Sequence, residues 1–465
     1  MQAPAIKQEK PMFVVAIVAL MSFMGVLTET SMNVTFPALM SEFNESLSTV
    51  QWVTSGYLLM AALVMLTSAY MKRRFTNRQL FIIAVILFSL GDIICGSAFN
   101  FWMLLIGRMI QAGCVGICTP LMVNIILDVV SPIKLGTYIG LANLIILVAP
   151  ALGPTFGGAV VAFASWRVIF WATLPLALIL LVMGTKRIRQ YAPIEGKYTF
   201  DWTRFLILGM ALICLIIGLN DLGSHLYITF AVLLITSVIL TGIFVRLSSK
   251  ATKALFSLSV FKEKAFLFSF LPYIMLQFSN VGINFLLPNY VQEVFQATSL
   301  IGGLILLPGS ILNCFGQPIY GWMLDHLGGK LPLYIGDILF TLSLVGLTVG
   351  GTQLGIWGIT LAYMIFAVGR SMAFGNSVAY GLEHIDKKFR SDANALYNTG
   401  QQVTGAIGTT VLALIMDSVN QTGYTRAQNI SAGSTRAFVL LVVFGVIIFY
   451  LFHHLLNLKS NIDSN

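Results

Sequence analysis

The sequence predicts an all-α integral membrane protein with fourteen transmembrane helices, arranged as two six-helix bundles with a two-helix hairpin inserted between them. Hydrophobic residues make up 57% of the 465 residues and charged residues only 10%, a composition that soluble domains do not have. Apolar runs of about 18 or more residues recur along the whole chain, and each can cross ~30 Å of hydrocarbon as a helix. Lysine and arginine concentrate in alternate loops between these runs.

The first apolar run is too long for a cleavable signal peptide, and no small-residue cleavage pattern follows it, so we expect the mature chain to start at Met1. In chain order, the predicted spans are 12–39, 47–71, 79–98, 101–127, 135–163, 166–185, 205–220, 226–245, 265–290, 298–324, 331–350, 354–379, 393–418 and 437–456.

The distribution of positive charge tests this map, because cytoplasmic loops are enriched in Lys and Arg. With the N-terminus inside, 22 of the 27 Lys and Arg residues fall on the inner side. Only Arg167, Arg426 and Arg436 fall outside, and Arg108 and Arg370 lie within the membrane. We therefore expect a multi-pass protein of a bacterial plasma membrane, with the N- and C-termini both cytoplasmic.

The same distribution argues against nucleic-acid binding, although the net charge is +9. The basic tracts 186–197 and 246–264 are interpreted as anchors at the inner leaflet of the bilayer. All five cysteines lie in spans and form no CxxC pair, so neither a disulfide nor a zinc site is predicted. The sequence also lacks a P-loop, a metal-spaced histidine pair and a nucleophile constellation. We expect no cofactor, no metal and no enzymatic activity.

Two inner loops indicate an internal duplication. MKRRFTNRQLF follows span 2 and GWMLDHLGGKLPLY follows span 10, which is the same place in two groups of six spans. Parallel repeats of this type enclose a substrate cavity at their interface near the bilayer midplane. The predicted organisation is a cytoplasmic N-terminus (1–11), an N-terminal bundle (12–185), basic loops with inserted helices 7 and 8 (186–264), a C-terminal bundle (265–456) and a cytoplasmic C-terminus (457–465).

Several motifs resemble those of the major facilitator superfamily over nearly the full chain. They include an inner-loop signature, a fourth-helix motif with a buried arginine, and a fifth-helix motif that marks antiporters. Two further stretches are similar to the fourteen-span drug:proton antiporter branch of that superfamily. In the same order, the stretches are GWMLDHLGGK (321–330), LIGRMIQAG (105–113), APALGPTFGG (149–158), SWRVIFWATLP (165–175) and LPNYVQEVFQATSLIGGLILLPGS (287–310).

The resemblance implies the major facilitator fold and proton-coupled export of lipophilic, cationic drugs by alternating access. The acidic residue that the family places in its first helix aligns with Thr28, and its role is carried to Glu29, the only carboxylate on that helix. The first inner loop departs from the family pattern, with Ala69, Arg73 and Thr76 where the family has Gly, Asp and Gly. This departure weakens the expectation of a gating latch in that loop.

Three intramembrane charges are the candidates for proton coupling. With ~1.5 Å of rise per residue, Glu29, Asp92 and Arg108 share a layer ~10 to 15 Å below the outer surface. Burial disfavours a charged carboxylate and a nearby arginine favours it, so a group that alternates between the two environments binds and releases a proton. The alternative is a static pair of Glu29 and Arg108. The resemblance implies that the helix of Asp92 is peripheral, so Asp92 either carries protons, or only caps a packing network or reaches water near the rim.

The candidate substrate cavity is lined by amides, aromatic residues and one arginine. Gln277, Asn280 and Asn284 share one face of span 9 through spacings of three and four, which also suits hydrogen bonding between helices. Arg370 is expected either to pair with Asp337 or to face an inward-open cavity. Such a lining suits amphipathic or cationic molecules. The complete set is Asn33, Tyr57, Gln111, Tyr273, Gln277, Asn280, Asn284 and Arg370.

Two motifs are candidates for gating. The prolines and glycines of APALGPTFGG remove helix donors and side-chain bulk, which suits either a packing seam or a helix that moves during alternating access. In GWMLDHLGGK, the glycines make a tight turn, and an aspartate near a helix end can form a bond in one state and break it in another. The candidate gating residues are Gly153, Pro154, Gly157, Gly158, Gly321 and Asp325.

The expected partners are a small drug-like molecule, protons and the lipid bilayer, and the protein is expected to be a monomer. Export of one endogenous metabolite or lipid-like molecule by the same machinery is an equally compatible function. A non-transporting membrane sensor would need a soluble domain or a long tail, and the longest loops have only about twenty residues.

Overall fold

A computed structural model of the chain describes residues 11–130, 135–190, 200–223, 226–249, 258–386 and 389–462. Every regular element in these ranges is a helix. The predicted cytoplasmic N-terminus lies almost wholly outside the described residues, as do residues 191–199 and 250–257 of the basic loops.

The first half of the chain, here called the N-half, contains helices α1 to α9. Hydrogen-bonding side chains fix several of their starts: Thr76 and Gln79 form a reciprocal capping box at α6, and the Asn100 side chain accepts from the Met103 amide at 2.8 Å at α7. The helices are α1 Pro11–Met32, α2 Phe36–Phe43, α3 Leu47–Val50, α4 Trp52–Leu66, α5 Ser68–Arg74, α6 Asn77–Gly96, α7 Phe101–Val129, α8 Leu135–Phe163 and α9 Val168–Arg187.

Helices α10 and α11 follow, and α12 to α18 form the C-half. The Ser237 hydroxyl of α11 donates to the Ala211 carbonyl of α10 at 2.8 Å, which ties these two helices together. The helices are α10 Trp202–Gly223, α11 Tyr227–Ser249, α12 Lys264–Phe295, α13 Ser299–Leu304, α14 Leu307–Leu327, α15 Lys330–Gly350, α16 Gly355–Glu383, α17 Arg390–Asp417 and α18 Arg426–Ile462.

Twelve helical stretches of the described chain are long and apolar enough to cross a membrane. One of them, Lys330–Glu383, contains both α15 and α16, and the more polar α17 is not among the twelve. Large apolar side chains cover the outer surface, as a bilayer requires; Phe99, Phe163 and Trp357 are among the most exposed. The predicted all-helical membrane protein is confirmed, with about twelve to fourteen apolar helices. The count of fourteen and the inserted hairpin remain predictions.

The two ends of the described part of the chain lie on the same face of the molecule, here called the terminal face. In the N-half, the Arg187 guanidinium lies over the Phe13 ring at 5.9 Å, which places the end of α9 beside the start of α1. In the C-half, the rings of Phe268 and His454 stack at 5.7 Å, which places the end of α18 beside the start of α12. The ends of α1 and α12 meet on the opposite, distal face, where Asn289 donates to the Asn33 carbonyl.

The hydrophobic cores show how the two halves are joined. One shared core contains residues of both halves near the distal face, including the Phe36 and Phe285 rings, 5.4 Å apart, and continues within the C-half as far as Tyr380 and Leu456. Toward the terminal face there are two further cores, each built from one half: one around Phe81 and Ile125, the other around Phe266 and Tyr397. The halves are therefore fused at the distal face and have separate cores at the terminal face.

Candidate functional site

Helices α6 and α7 cross where two glycines let their backbones meet. A Cβ atom at Gly91 would lie 2.8 Å from the Gly107 carbonyl oxygen, and a Cβ at Gly107 would lie 2.6 Å from the Cys95 sulfur. Only glycine permits so close an approach. The contact places the two residues that follow, Asp92 and Arg108, on facing helices within the N-half.

Asp92, Gln111 and Arg108 form a buried polar network. All three side chains are fully buried. The Gln111 amide donates to Asp92 Oδ1 at 2.5 Å, and its oxygen accepts a short hydrogen bond from the Arg108 guanidinium. The Thr173 hydroxyl of α9 donates to Asp92 Oδ2 at 3.0 Å. Gln111 thus bridges Asp92 and Arg108, which form no direct ion pair with each other. These hydrogen bonds, with that of Thr173, are the contacts through which Asp92 would play its predicted packing role.

The other side of Arg108 faces α4. Its Nε donates to the Val53 carbonyl at 3.3 Å, and the guanidinium lies 4.1 Å from the centre of the Tyr57 ring. The Tyr57 hydroxyl donates in turn to the Gly25 carbonyl of α1 at 3.0 Å. One terminal nitrogen of Arg108 has no hydrogen-bond partner in the described chain. Tyr57 and Gln111, predicted to line the substrate cavity, are both fully buried here.

Glu29 lies beside this network without bonding to it. One turn before it, Gly25 faces Val115 of α7. Since α1 and α7 run in opposite directions, the next turn brings Glu29 level with Gln111. Glu29 interacts with Arg108 through its charge, but the described residues give its carboxylate neither a hydrogen bond nor an ion pair, and the side chain is 8% exposed. The alternative of a static pair between Glu29 and Arg108 is not found.

The fifth-helix motif lies in α8 and packs closely against α1. A Cβ at Gly153 would overlap the Thr30 hydroxyl, and a Cβ at Gly157 would overlap the Ser31 carbonyl. The Ser31 hydroxyl also donates to the Gly153 carbonyl at 2.9 Å. Two small residues of α1, one and two positions after Glu29, thus lie in the groove left by two glycines of α8.

The same motif also contacts the C-half. A Cβ at Gly158 would overlap the Ser299 carbonyl of α13, and a Cβ at Gly303 would overlap the Pro154 carbonyl. Helix α8 therefore uses one pair of motif residues against its own half and the other pair against the opposite half. This arrangement makes α8 part of the distal contact between the halves.

Side-chain amides complete the distal contact. Asn289 and Gln292 of α12 donate to the carbonyls of Asn33 and Val34, each at 3.2 Å. These carbonyls belong to the break between α1 and α2, where the helix leaves backbone oxygens without an internal donor. Asn33, predicted to line the substrate cavity, is 2% exposed, and its side chain accepts from Thr54. It therefore belongs to the distal closure in this conformation.

The C-half has its own polar cluster around Arg370. The guanidinium donates to Gln277 of α12 at 3.2 Å and lies 4.2 Å from the centre of the Phe374 ring. Phe374 stacks on Tyr273 at 4.2 Å, and the Tyr273 hydroxyl donates to Gln401 of α17 at 2.8 Å. Three predicted residues, Arg370, Gln277 and Tyr273, are therefore brought together.

The predicted pair of Asp337 and Arg370 is wrong. Asp337 is 1% exposed, one of its oxygens has no hydrogen-bond partner in the described chain, and Arg370 contributes no charge interaction to it. The physical reason is the direction of the side chains. Gly336 and Gly369 form the α15–α16 contact, and Arg370 points away from it to α12.

The remaining predicted residues differ in burial. Asn284 is buried and accepts from the Tyr363 hydroxyl at 2.8 Å, whereas Asn280 is half-buried. A Cβ at Gly321 would meet nothing within 4 Å, and Asp325 is exposed. No hydrogen bond of Asp325 occurs in the part of the chain that the structure describes, so its gating role stays a prediction.

Sequence reasoning missed Thr173, Phe374 and Gln401. A threonine in an apolar helix carries no signal that distinguishes a partner of Asp92 from a packing residue. Phe374 lies one turn after Arg370 on α16, so helical spacing could have indicated it. Gln401 lies 128 residues from Tyr273, and no local pattern connects them.

The comparisons with known proteins agree with this architecture. A family model described as Major Facilitator Superfamily matches residues 18–409. The chain is 30% identical over 459 residues to the lincomycin resistance protein LmrB of Bacillus subtilis, and the match covers 96% of each chain. It is 25% identical to the tetracenomycin C resistance and export protein of Streptomyces glaucescens, over 86% of this chain and 75% of that protein.

Solved structures share the fold at low sequence identity. A bacterial homologue of the human lysosomal transporter Spinster, solved in an inward-facing and unoccupied conformation, superimposes with a TM-score of 0.70 at 14% identity and covers 96% of this chain and 97% of its own. The xylose transporter XylE of E. coli, in a partially occluded inward-open conformation, gives a TM-score of 0.62 at 15% identity, over 93% and 96% of the two chains.

Proposed function

The chain belongs to the major facilitator superfamily of membrane transporters, and we propose that it is a proton-coupled antiporter that exports lipophilic, cationic drugs by alternating access. Relatives named for resistance to lincomycin and for tetracenomycin C resistance and export support drug export. The arrangement of Glu29 beside the buried network of Asp92, Gln111 and Arg108 supports proton coupling. The family and the fold are those of transporters and not of enzymes.

We propose fourteen spans, with α10 and α11 as a hairpin inserted between the two bundles and the terminal face in the cytoplasm. Basic residues in the last turns of α5 and α9, such as Arg73 and Lys186, lie on the terminal face and support this orientation. Helix α10 packs near both halves, because Ile216 shares a hydrophobic cluster with Leu58 and Val281. The conformation described is then closed to the outside and parted toward the cytoplasm.

The observation that carries the proposal is the unbonded carboxylate of Glu29 at the level where the shared core ends. Met32, one turn nearer the distal face, belongs to the shared core, and Met24 belongs to the N-half core. A carboxylate within a membrane is stable when it is neutral, paired or in contact with water. Glu29 has residual exposure and a charged neighbour, so it can change between these conditions as the halves move.

The cycle follows from competition at Glu29. In the conformation parted toward the cytoplasm, a cationic drug binds near Glu29 and releases its proton, since the drug's positive charge stabilises the carboxylate. The change of conformation then exposes the site to the outside, where a proton displaces the drug. Because only one of the two ligands occupies the site at a time, an inward proton gradient drives export. Arg108 is close enough to interact with the Glu29 carboxylate through its charge.

The test is drug-driven proton movement in proteoliposomes with a pH dye inside, comparing the parent with Glu29→Gln. The parent is expected to exchange protons for a lipophilic cation. Glu29→Gln is expected to bind the cation and to move protons no faster than empty liposomes, because glutamine cannot release a proton.

Glu45→Gln is the matched control, because it also replaces one carboxylate by an amide. Glu45 lies away from Glu29, in the distal segment between α2 and α3. It should exchange protons as the parent does. Normal proton exchange in Glu29→Gln would transfer the coupling role to Asp92 or to another group.

A further inference from the structure

The C-half contains a buried cation that the proposed cycle does not use. Arg370 is 6% exposed, and its Nε has no hydrogen-bond partner in the described chain. The described residues give it one amide acceptor, Gln277, and place Tyr273 and Tyr363 nearby, but they give it no carboxylate. A buried charge without an opposite charge is costly, so proteins that keep one generally use it.

The Arg370 guanidinium is covered by an aromatic ring on one face, and part of its N–H donors have no acceptor in the described chain. The Phe374 ring covers one face of the guanidinium, and its stacking on Tyr273 holds it there. A guanidinium has five N–H donors in a planar fork that matches a carboxylate or phosphate in two parallel hydrogen bonds. Gln277 accepts only one of these donors in the described chain. The remaining donors suit a planar anion.

The position of Arg370 matches that expected for a substrate. It lies 15 residues after the first residue of α16, Gly355, and 13 before the last, Glu383, so it is near the middle of the helix. Its acceptor Gln277 also lies near the middle of its helix, 13 residues after Lys264 and 18 before Phe295. Transporters built from parallel repeats bind substrate at this level.

We propose that Arg370, with Gln277 and the Phe374 ring, is a subsite for an acidic group of the substrate, such as a carboxylate. An aromatic part of the substrate next to that group would pack on Phe374 and Tyr273. This inference rests on the proposed function and refines its substrate class. With Glu29 binding an amine and Arg370 binding an acid, the preferred substrates are zwitterionic amphiphiles in addition to simple cations.

The test is equilibrium binding to the full-length purified protein in detergent, followed by fluorescence anisotropy. Two rhodamine dyes serve as probes: a zwitterion with a free carboxylate, and its methyl ester, which keeps the cationic ring system and lacks the acid. Arg370→Gln should weaken binding of the carboxylate dye by roughly tenfold or more, because one charge-assisted hydrogen-bonded pair is lost. Binding of the ester should change by less than about twofold.

Two further variants separate this role from a general loss of structure. Arg370→Lys keeps the charge but loses the planar fork, so it should retain part of the preference for the carboxylate dye. Arg246→Gln removes an exposed arginine of α11 and should bind both dyes as the parent does.

The proposal is overturned if Arg370→Gln weakens both dyes equally or weakens neither. It is also overturned if the parent binds the ester and not the carboxylate dye, or binds neither dye. These outcomes differ from a failure of the proposed function. Proton-coupled export of the ester dye by the parent in proteoliposomes would support that function even where the subsite is disproved.

Discussion

Glu29 and Asp92 are two intramembrane carboxylates with different surroundings. Asp92 is fully buried and accepts hydrogen bonds from Gln111 and Thr173, whereas Glu29 has neither and retains some exposure. A group that exchanges protons with water has to reach water in part of the cycle. We therefore propose that Glu29 exchanges protons and that Asp92 positions Arg108 through Gln111.

Sequence reasoning reached part of this site. Counting helical residues from the predicted span ends placed Glu29, Asp92 and Arg108 in one layer, because the rise per residue is fixed. It could not supply the partner of Asp92, since Thr173 is 81 residues away and belongs to another helix. It also proposed direct pairing of acids with arginines, where the structure uses amides such as Gln111 and Gln277 as partners of the arginines.

A surface ion pair gives a pH-dependent prediction. Glu42 accepts from Trp166 Nε1 at 2.7 Å and pairs with Arg167 at 2.7 Å. Partial burial alone would raise the pKa of Glu42, but the hydrogen bonds from Arg167 and Trp166 outweigh it and lower this pKa below its ordinary value. Glu42→Gln should therefore lower the free energy of unfolding at neutral pH, by about 1 kcal/mol or less because the pair is partly exposed to solvent.

The sign of the pH dependence follows from the lowered pKa. The stabilisation is present above the ordinary glutamate pKa of about 4.3 and is lost as the pH falls through the lower folded-state value. The difference in melting temperature between parent and Glu42→Gln, measured by tryptophan fluorescence, should shrink on acidification. A difference that grows in acid would show that the ionised Glu42 does not stabilise the fold. Glu45→Gln serves as the control.

Helix α8 contacts both halves through one motif, APALGPTFGG. The sequence indicated a helix with little side-chain bulk, because prolines and glycines show that directly. It did not indicate that Gly153 and Gly157 face α1 while Gly158 faces α13, since the partners of a seam depend on how the helices are arranged in space. The structure thus adds a direct role in the distal closure to the predicted packing role.

A valine at position 158 should open this closure. The added carbons would overlap the Ser299 carbonyl, and overpacking of this kind costs about 1–3 kcal/mol in the closed conformation. Gly158→Val should raise the labelling rate of a reporter cysteine, Asn33→Cys, by an impermeant maleimide from the distal side, by roughly tenfold. Asn33 is nearly inaccessible in the parent, and the five native cysteines are free and buried.

The control for this labelling is Gly242→Val on α11, where a Cβ would meet nothing within 4 Å. Its labelling rate should equal that of the parent. Unchanged labelling in Gly158→Val would show that α8 packs at the distal face without limiting the closure.

For the whole molecule, the arrangement of the hydrophobic cores defines the conformation. One core joins the halves near the distal face, and each half has its own core toward the terminal face. Hydropathy and charge distribution predicted an all-helical membrane protein, because every conformation of the cycle presents the same apolar surface to lipid. For the same reason they could not indicate which face is closed. That information lies in contacts between the halves, such as Asn289 with Asn33.

The central claim is that drug and proton compete at Glu29, and proton release on drug binding tests it most directly. Purified protein in weakly buffered detergent solution is mixed with a saturating lipophilic cation, and a pH-indicator dye reports released protons. We expect release by the parent and by Glu45→Gln, and none by Glu29→Gln although it binds the cation. Equal proton release by Glu29→Gln and the parent would show that drug and proton do not compete at Glu29.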